Sequence, residues 1–469
     1  MQLFDTIAAI STPHGKGGVA LLRVSGENAV AIAAKVFCPM GGKKLEDVAA
    51  RHAVYGQIMA PDADAQAPWI AVDDGIATVY RAPASFSGED TVEICCHGGI
   101  LMTQTVLQAL FSAGARPAEA GEFTRRAYLN GKMGLGAAQS LGALLEAQNR
   151  AQLTLAHTGV HGAVEKKTGE IYENLRAVMS EVLVCIDFPE EDLADMGRDE
   201  MLRRVQLCAD QTEALANTYR TGHAVAEGIP TVICGQTNVG KSSLYNRLVG
   251  HEAAIVTDIE GTTRDILQES VTVGGQVTLR LYDTAGLREA NDAVERIGID
   301  RARAAMDEAE LILAVFDGSR ALSEGELALI DELTHRAAAG QTVLPVLNKS
   351  DLGTGLDLST LAPLGEPVRL SANTGEGMDA LSERICTMFV DGQIDLRHDA
   401  VIATAQQHAA CLRALTSLRC AIDGLAAGVS LDLCCVDVEA AMCALSELDG
   451  RAVDEDIVNE IFAHFCVGK

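Results

Sequence analysis

Gly235-Gln236-Thr237-Asn238-Val239-Gly240-Lys241-Ser242 is the stretch that decides the fold in the middle of this chain. The strand-like run Thr231-Val232-Ile233-Cys234 precedes it, and the helix-compatible Ser243-Leu244-Tyr245-Asn246-Arg247-Leu248 follows. Strand, glycine-rich loop and helix in that order make the context of a phosphate-binding loop. The glycines let the backbone curl until its N–H groups and the helix N-terminus face phosphate oxygens. Lys241 adds a point charge, and the Ser242 hydroxyl can ligate magnesium. The expected nucleotide contacts here are Asn238, Val239, Gly240, Lys241, Ser242 and Ser243. For this loop alone, a glycine-rich turn that binds nothing is the competing reading.

Three later segments remove that alternative by their order. Asp283-Thr284-Ala285-Gly286 ends the alternating pattern Val277, Leu279, Leu281; its aspartate can hold magnesium through water, and the Gly286 N–H can meet a γ-phosphate. Asn348-Lys349-Ser350-Asp351 follows the apolar run from Val343 to Leu347. The Asp351 carboxylate only accepts, so it can receive the two donors on the guanine edge, which adenine does not present. Ser371-Ala372, after Val368-Arg369-Leu370, resembles the loop whose backbone amide reads the guanine oxygen. Together the segments predict a Ras-like α/β P-loop GTPase domain over about residues 223–386, with GTP as substrate.

Leu287 stands where Ras-like proteins carry a water-orienting glutamine. An apolar side chain cannot orient water, so catalysis is assembled differently or the domain only binds nucleotide. Asn238 supplies a carbonyl oxygen beside the β/γ-phosphates, and the segment Ile255-Val256-Thr257-Asp258-Ile259-Glu260-Gly261-Thr262-Thr263-Arg264-Asp265 can wrap backbone oxygens around the same point. Neutral oxygens suit a monovalent cation, which would neutralise charge where other systems insert an arginine. Glu295 is a candidate to orient the water, although on the residues alone a solvated helix glutamate is the better reading.

With 469 residues, 48% of them hydrophobic, the chain can build two or three cores, so a multidomain protein is expected. Through about residue 131, β-type runs such as Val19-Ala20-Leu21-Leu22-Arg23-Val24 and Thr91-Val92-Glu93-Ile94 flank one helical stretch near 100–113, which reads as an α+β domain. Residues 132–222 carry apolar positions at helical spacing (Leu141, Leu144, Leu145; Ile171, Leu175, Val178, Met179, Val182). The same character returns over 387–469 (Leu412, Leu415, Leu418; Ile457, Ile461, Phe462, Phe465). The economical architecture is an all-α helical domain with the α/β domain inserted in it. A formal charge of −28 and 4% aromatic residues disfavour a direct polyanion surface or a base-stacking platform, so any RNA contact is local or brought by a partner. The N-terminus has no leader pattern and no apolar run approaches bilayer length; a cytoplasmic protein without membrane attachment is expected. Thirteen cysteines without a C-x-x-C arrangement read as reduced thiols in packed interiors.

The loop G-x-x-N-x-G-K-S, the run Thr257-Asp258-Ile259-Glu260-Gly261-Thr262-Thr263-Arg264-Asp265 and Asp283-Thr284-Ala285-Gly286-Leu287-Arg288-Glu289 look together like the MnmE family, as do the downstream Val294-Glu295-Arg296-Ile297-Gly298 and the terminal Phe465-Cys466-Val467-Gly468-Lys469. The resemblance runs from Thr12-Pro13-His14-Gly15-Lys16-Gly17-Gly18-Val19 to the last residue. It implies nucleotide contacts at Thr257, Thr262, Thr263, Asp283, Thr284, Ala285, Gly286, Asn348, Lys349, Asp351, Ser371 and Ala372. It implies potassium at Asn238, Thr257, Ile259 and Thr262, magnesium at Ser242 and Thr263, and Glu295 as the water-orienting catalytic residue. It further implies a homodimer whose GTPase domains meet face to face, and an MnmG-type flavoprotein partner forming a heterotetramer or larger through which tRNA is engaged. A tetrahydrofolate derivative, in the 5,10-methylene or 5-formyl form, would bind the first domain at Arg23, Glu93, Lys132 and Lys469, with Cys466 taking part in modification of C5 of the wobble uridine. Without the resemblance, Arg23 and Glu93 read as ordinary strand-face charges. A ribosome-assembly-type GTP-controlled binding module and a nucleotide-binding scaffold are the rival readings; the first normally brings a basic appendage that this acidic chain lacks.

Overall fold

The computed structural model describes residues 5–62, 69–187, 198–251, 268–282, 304–353, 355–448, 461–463, 465 and 467–468. Contacts divide the chain into two units, Met1–Gly142 with Asp449–Lys469, and Ala143–Leu448.

The first unit is built on a seven-stranded sheet. Its elements are β1 (Ile7–Ile10), β2 (Val19–Ser25), α1 (Ala29–Val36), β3 (Phe37–Pro39), β4 (Ala53–Ala60), β5 (Ile70–Tyr80), β6 (Thr91–His97), α2 (Ile100–Ala113), β7 (Arg116–Pro117) and α3 (Glu122–Leu129), and the strand order is β3-β4-β5-β6-β2-β1-β7. In β2 the period of two is plain: Ala20, Leu22 and Val24 are buried, whereas Leu21 and Arg23 are only partly covered. The first set packs with Val30 and Ile32 of α1 and Val106 and Leu110 of α2. The opposite face carries Arg23 directly across from Glu93 of β6, with Ile7 and Ala9 of β1 clustering there against Phe123. α4 (Leu135–Glu146) begins after a turn in which Gly131 has φ +66°. The first helix of the stretch read as helical from about 132 starts at Leu135, because that glycine conformation and Gly134 separate it from the helix before. A correction concerns the apolar positions of α4: Leu141 and Leu144 are half-buried and Leu145 is 50% exposed, so this stripe is not part of a closed core.

In the second unit, helices α5 (Arg150–Val160), α6 (Ala163–Asp187), α7 (Arg198–Asn217) and α8 (Tyr219–Ala226) precede an α/β segment. That segment holds β8 (Ile229–Cys234), α9 (Lys241–His251), β9 (Gln268–Val273), β10 (Val277–Tyr282), β11 (Leu311–Asp317), α10 (Glu324–Ala338), β12 (Thr342–Asn348), β13 (Val368–Arg369) and α11 (Met378–Phe389). α12 (Ala405–Ala426) and α13 (Leu431–Ser446) follow. The helical core joins Ile171, Leu175, Val178 and Val182 of α6 and Val205 of α7 to Leu415 and Leu418 of α12 and Val438 of α13. Leu412, placed in the same stripe by spacing, is 46% exposed. The sheet order is β13-β12-β11-β8-β10-β9; only β9 runs antiparallel to its neighbour. β11 is buried along its whole length, as its unbroken Leu311-Ile312-Leu313-Ala314-Val315-Phe316 requires of a central parallel strand. β8 lies between β11 and β10, so the chain changes direction across the sheet there, and the carboxyl ends of β8, β11 and β12 share one edge. Open α/β sheets take ligands at such a switch point.

Every described cysteine is free; burial pushes the Cys234 thiol up to about 12 and that of Cys96 up to about 11. Among the described residues no helix is long and apolar enough to cross a membrane.

Candidate functional site

At the carboxyl end of β8 the loop turns through three positive φ angles, Gly235 at +145°, Asn238 at +62° and Gly240 at +102°. Two of these positions admit only glycine for a second reason. A Cβ on Gly235 would lie 2.3 Å from the Val315 carbonyl oxygen, and one on Gly240 2.0 Å from Asn348 Nδ2. Leu244 and Leu248 bury the inner face of α9, which leaves Ser242 and Ser243 exposed in its first turn. Lys241 Nζ donates to the carbonyls of Gly235 (2.9 Å) and Gln236 (2.8 Å), bringing its ammonium against the loop. Burial holds its pKa below the usual lysine value, a cost that a bound phosphate would offset.

The Asn348 side chain, at the end of β12, ties this loop to a second one. Its Nδ2 donates to the Val239 carbonyl at 2.9 Å, and its Oδ1 accepts from the Ala372 amide at 2.9 Å, both bonds being buried. Lys349 adopts φ +64° and pairs with Asp317 Oδ2 at 2.6 Å. Burial alone would raise the Asp317 pKa, but bonds from Lys349 and Ser319 outweigh it and hold the carboxyl below its usual value. Asp351 stands exposed in the turn Ser350–Leu352, its carboxylate open to a ligand edge. Ser371 and Ala372 are buried. In the loop expected to read the guanine oxygen through a backbone amide, the Ala372 N–H donates to Asn348, and the next amide along belongs to exposed Asn373.

Arg247 escaped the sequence reading. It lies on the same helix as Lys241, and its Nε and Nη2 donate to the carbonyls of Ala372 (3.1 Å) and Asn373 (2.5 Å). A cavity of about 300 Å³ beside it is lined by Ser243, Asn246, Arg247, Gly250 and Ala372. An arginine six residues past a loop lysine carries no motif, so nothing in the sequence marked it. Thr257, Ile259, Thr262, Thr263, Asp283, Thr284, Ala285, Gly286, Glu295, Cys466 and Lys469 lie outside the described residues. Of the donors assigned to the two cations, the exposed Ser242 and Asn238 offer the hard oxygens that magnesium and potassium prefer.

In the first unit, Arg23 Nη2 and Glu93 Oε1 pair at 2.7 Å, with side chains 15% and 20% exposed. Tyr80 Oη donates to the other Glu93 oxygen at 3.3 Å, and the rings of Phe86 and Phe123 lie 5.1 and 5.6 Å from the guanidinium carbon. This half-open face offers a cation, an anion and aromatic surface together, a donor set that fits a ligand with a hydrogen-bonding heterocycle and a carboxylate tail. Lys132 is exposed, and its Nζ donates to the Pro83 carbonyl at 2.9 Å. The end of the chain is tied to this unit: the Gly468 carbonyl accepts from Ser11 Oγ at 2.9 Å, Val467 bridges Ala120, and Phe462 is buried beside Leu135 and Ala138.

A mostly parallel sheet whose switch-point strand ends in a lysine-capped glycine loop, joined by a buried asparagine to an acceptor-bearing turn and a third loop, defines a P-loop guanine-nucleotide-binding protein. Residues 6–132 match the family model described as GTP-binding protein TrmE N-terminus, and residues 135–466 match the MnmE helical domain. A relative named tRNA modification GTPase MnmE from Lacticaseibacillus paracasei is 39% identical over 99% of this chain and 98% of its own. Relatives of the same name from Lactococcus lactis subsp. cremoris (40%, 100% and 99% covered) and Thermoanaerobacter pseudethanolicus (36%, both chains fully covered) match similarly. The chain belongs to the tRNA modification GTPase MnmE family.

Proposed function

We propose that this protein is a potassium-stimulated GTP hydrolase that, with a flavoprotein partner, adds an aminomethyl or carboxymethylaminomethyl group to C5 of the wobble uridine of certain tRNAs. The observation that carries the reading is the meeting of Val239, Asn348 and Ala372 through one buried side chain, which gathers the phosphate loop and the two base loops at one sheet edge. Full-length similarity to relatives named for tRNA modification supports the modification role.

In this reading Lys241 and the loop amides bind the β- and γ-phosphates, Asp351 accepts from the guanine edge, and Lys349 shapes the base platform while paired to Asp317. Ser242 and Thr263 would hold magnesium; Asn238, Thr262 and the backbone of Thr257 and Ile259 would hold potassium. When bound, these ions would supply positive charge beside the phosphates. Glu295 orients water in place of the glutamine that Leu287 replaces. Arg23, Glu93, Lys132 and Lys469 would hold the tetrahydrofolate derivative, which supplies the one-carbon unit. The α/β segment, about residues 223–386, is an insertion in a helical domain formed by 132–222 and 387–469, after an N-terminal domain of residues 1–131. The protein works as a homodimer in the cytoplasm and reaches tRNA through its partner.

Nucleoside analysis of tRNA from cells lacking this protein tests the reading. Loss of the C5-modified wobble uridine is expected; an intact profile refutes the modification role.

A further inference from the structure

The loop that follows β13 is held from two directions. Its first peptide plane, between Ser371 and Ala372, is fixed where the Ala372 N–H meets Asn348 Oδ1. The second, between Ala372 and Asn373, is fixed where Arg247 Nε donates to the Ala372 carbonyl at 3.1 Å. The third, between Asn373 and Thr374, is fixed at both ends: Arg247 Nη2 donates to the Asn373 carbonyl at 2.5 Å, and the Thr374 N–H donates to Ser371 Oγ at 3.2 Å. In a trans peptide the carbonyl and the following N–H point in opposite directions. By holding the Ala372 carbonyl, Arg247 therefore turns the Asn373 N–H away from itself. Among the described residues that N–H makes no hydrogen bond, whereas the Ala372 and Thr374 amides on either side are both engaged.

We propose that Arg247 is a positioning residue for base recognition, aiming the Asn373 backbone N–H at the 6-oxo group of the bound purine. The inference rests on the reading of this site as a guanine-nucleotide site and adds a residue to it. The chemistry separates two halves of base recognition. Asp351 accepts from the N1 and 2-amino donors of guanine, while an N–H facing position 6 accepts an oxo group and rejects an amino group. Arg247 governs only the second half. Its planar guanidinium spans two adjacent carbonyls, a geometry a lysine ammonium reproduces at one of them at most. Because Arg247 belongs to α9, the helix that begins with Lys241, it also makes the phosphate-binding helix and the base-reading loop one mechanical piece.

The discriminating ligand is 2-aminoadenosine diphosphate, which keeps the 2-amino donor of guanine but carries a 6-amino group for the 6-oxo group and an unprotonated N1 for the N1–H; the change at N1 bears on Asp351 alike in every Arg247 variant, so a ratio that moves on substitution of Arg247 reports position 6. Equilibrium competition against a fluorescent GDP analogue on the full chain gives the preference for GDP over 2-aminoadenosine diphosphate and over ADP. In Arg247→Ala the preference for GDP over 2-aminoadenosine diphosphate is expected to fall about tenfold or more, with Arg247→Lys in between; a helix that is merely loosened weakens both nucleotides alike and leaves the ratio unchanged. An unaltered ratio in Arg247→Ala overturns the inference while the guanine site stands. Should Arg247→Ala fail to fold, Arg247→Lys and Arg247→Gln decide the matter by the same ratio. A wild-type chain that shows no preference for GDP over ADP refutes the underlying reading of the site instead.

Discussion

Replacing Asn348 with alanine removes the side chain that joins the phosphate loop to the base-reading loop, and its effect follows from two bonds. The Val239 carbonyl loses its donor and the Ala372 amide loses its acceptor, both in a buried place where water does not substitute easily. Leaving a buried polar group unpaired costs about 1–3 kcal/mol, so two of them bring roughly 2–6 kcal/mol, and the lower half of that range, about 3 kcal/mol, suits loops that can relax around the lost bonds. At about 1.4 kcal/mol per tenfold, that is about a hundredfold loss of GDP affinity if the cost falls on the nucleotide-competent arrangement of the loops. A lost contact to the base would weaken GDP as well, so the decisive assay uses the nucleotide-free chain. Amide hydrogen exchange over residues 368–376 should accelerate by a similar factor, because the Ala372 N–H has lost its acceptor. Asn348→Asp separates the two bonds: it keeps an acceptor for Ala372 and sets oxygen against oxygen at Val239, so exchange at Ala372 should stay slow while GDP binding falls. The only tryptophan, Trp69, packs on the core of the first unit, and its fluorescence melt is expected to be unchanged in both variants. Unchanged exchange in Asn348→Ala, with GDP affinity within about threefold of wild type, would refute the bridging role.

Asp351→Asn exchanges an acceptor-only group for one that also donates, which suits the 2-oxo group of xanthine; binding should shift from GDP toward xanthosine diphosphate, with GDP weakened by about a hundredfold, and retained guanine preference would count against Asp351 as the base reader. The Asp317 carboxyl has a folded-state pKa below the usual 3.8, so its ion pair with Lys349 contributes full stability above that value and loses it as pH falls through the depressed one. The unfolding free-energy gap between wild type and Asp317→Asn should thus be flat above about pH 5 and narrow in stronger acid; a gap that widens there contradicts the assignment. Glu295→Ala should keep GTP binding while losing about a hundredfold in hydrolysis, the scale of a positioned general base, and wild-type turnover should be faster in potassium than in sodium. Equal, slow rates in both salts would favour a nucleotide-controlled binding module.

Much of the nucleotide site was legible because its parts are local. A glycine loop between strand and helix, an asparagine-lysine-x-aspartate run and a serine-alanine pair each occupy a single turn of backbone, and their residue types state their chemistry without reference to the rest of the chain. The apolar runs of β8, β11 and β12 were equally plain, since a strand buried on both faces can only be written in apolar residues. Helical stripes were less reliable. Leu141, Leu144, Leu145 and Leu412 satisfy the spacing as well as Leu415 and Leu418 do, yet only the last two are buried, because periodicity names a face and not what covers it.

By itself, then, the sequence marked the phosphate loop, nominated Asp351 as the guanine reader, and laid out the alternation of helical and α/β segments, for these readings depend on residues within a short window. Only the tertiary structure decided that Asn348 joins Val239 to Ala372, that Arg247 grips the carbonyls beyond Ala372, that Arg23 faces Glu93, and that Gly468 returns to Ser11. The members of these sets lie dozens to hundreds of residues apart. Strand order and register bring them together, and those follow from packing of the whole sheet, which no short window of sequence contains.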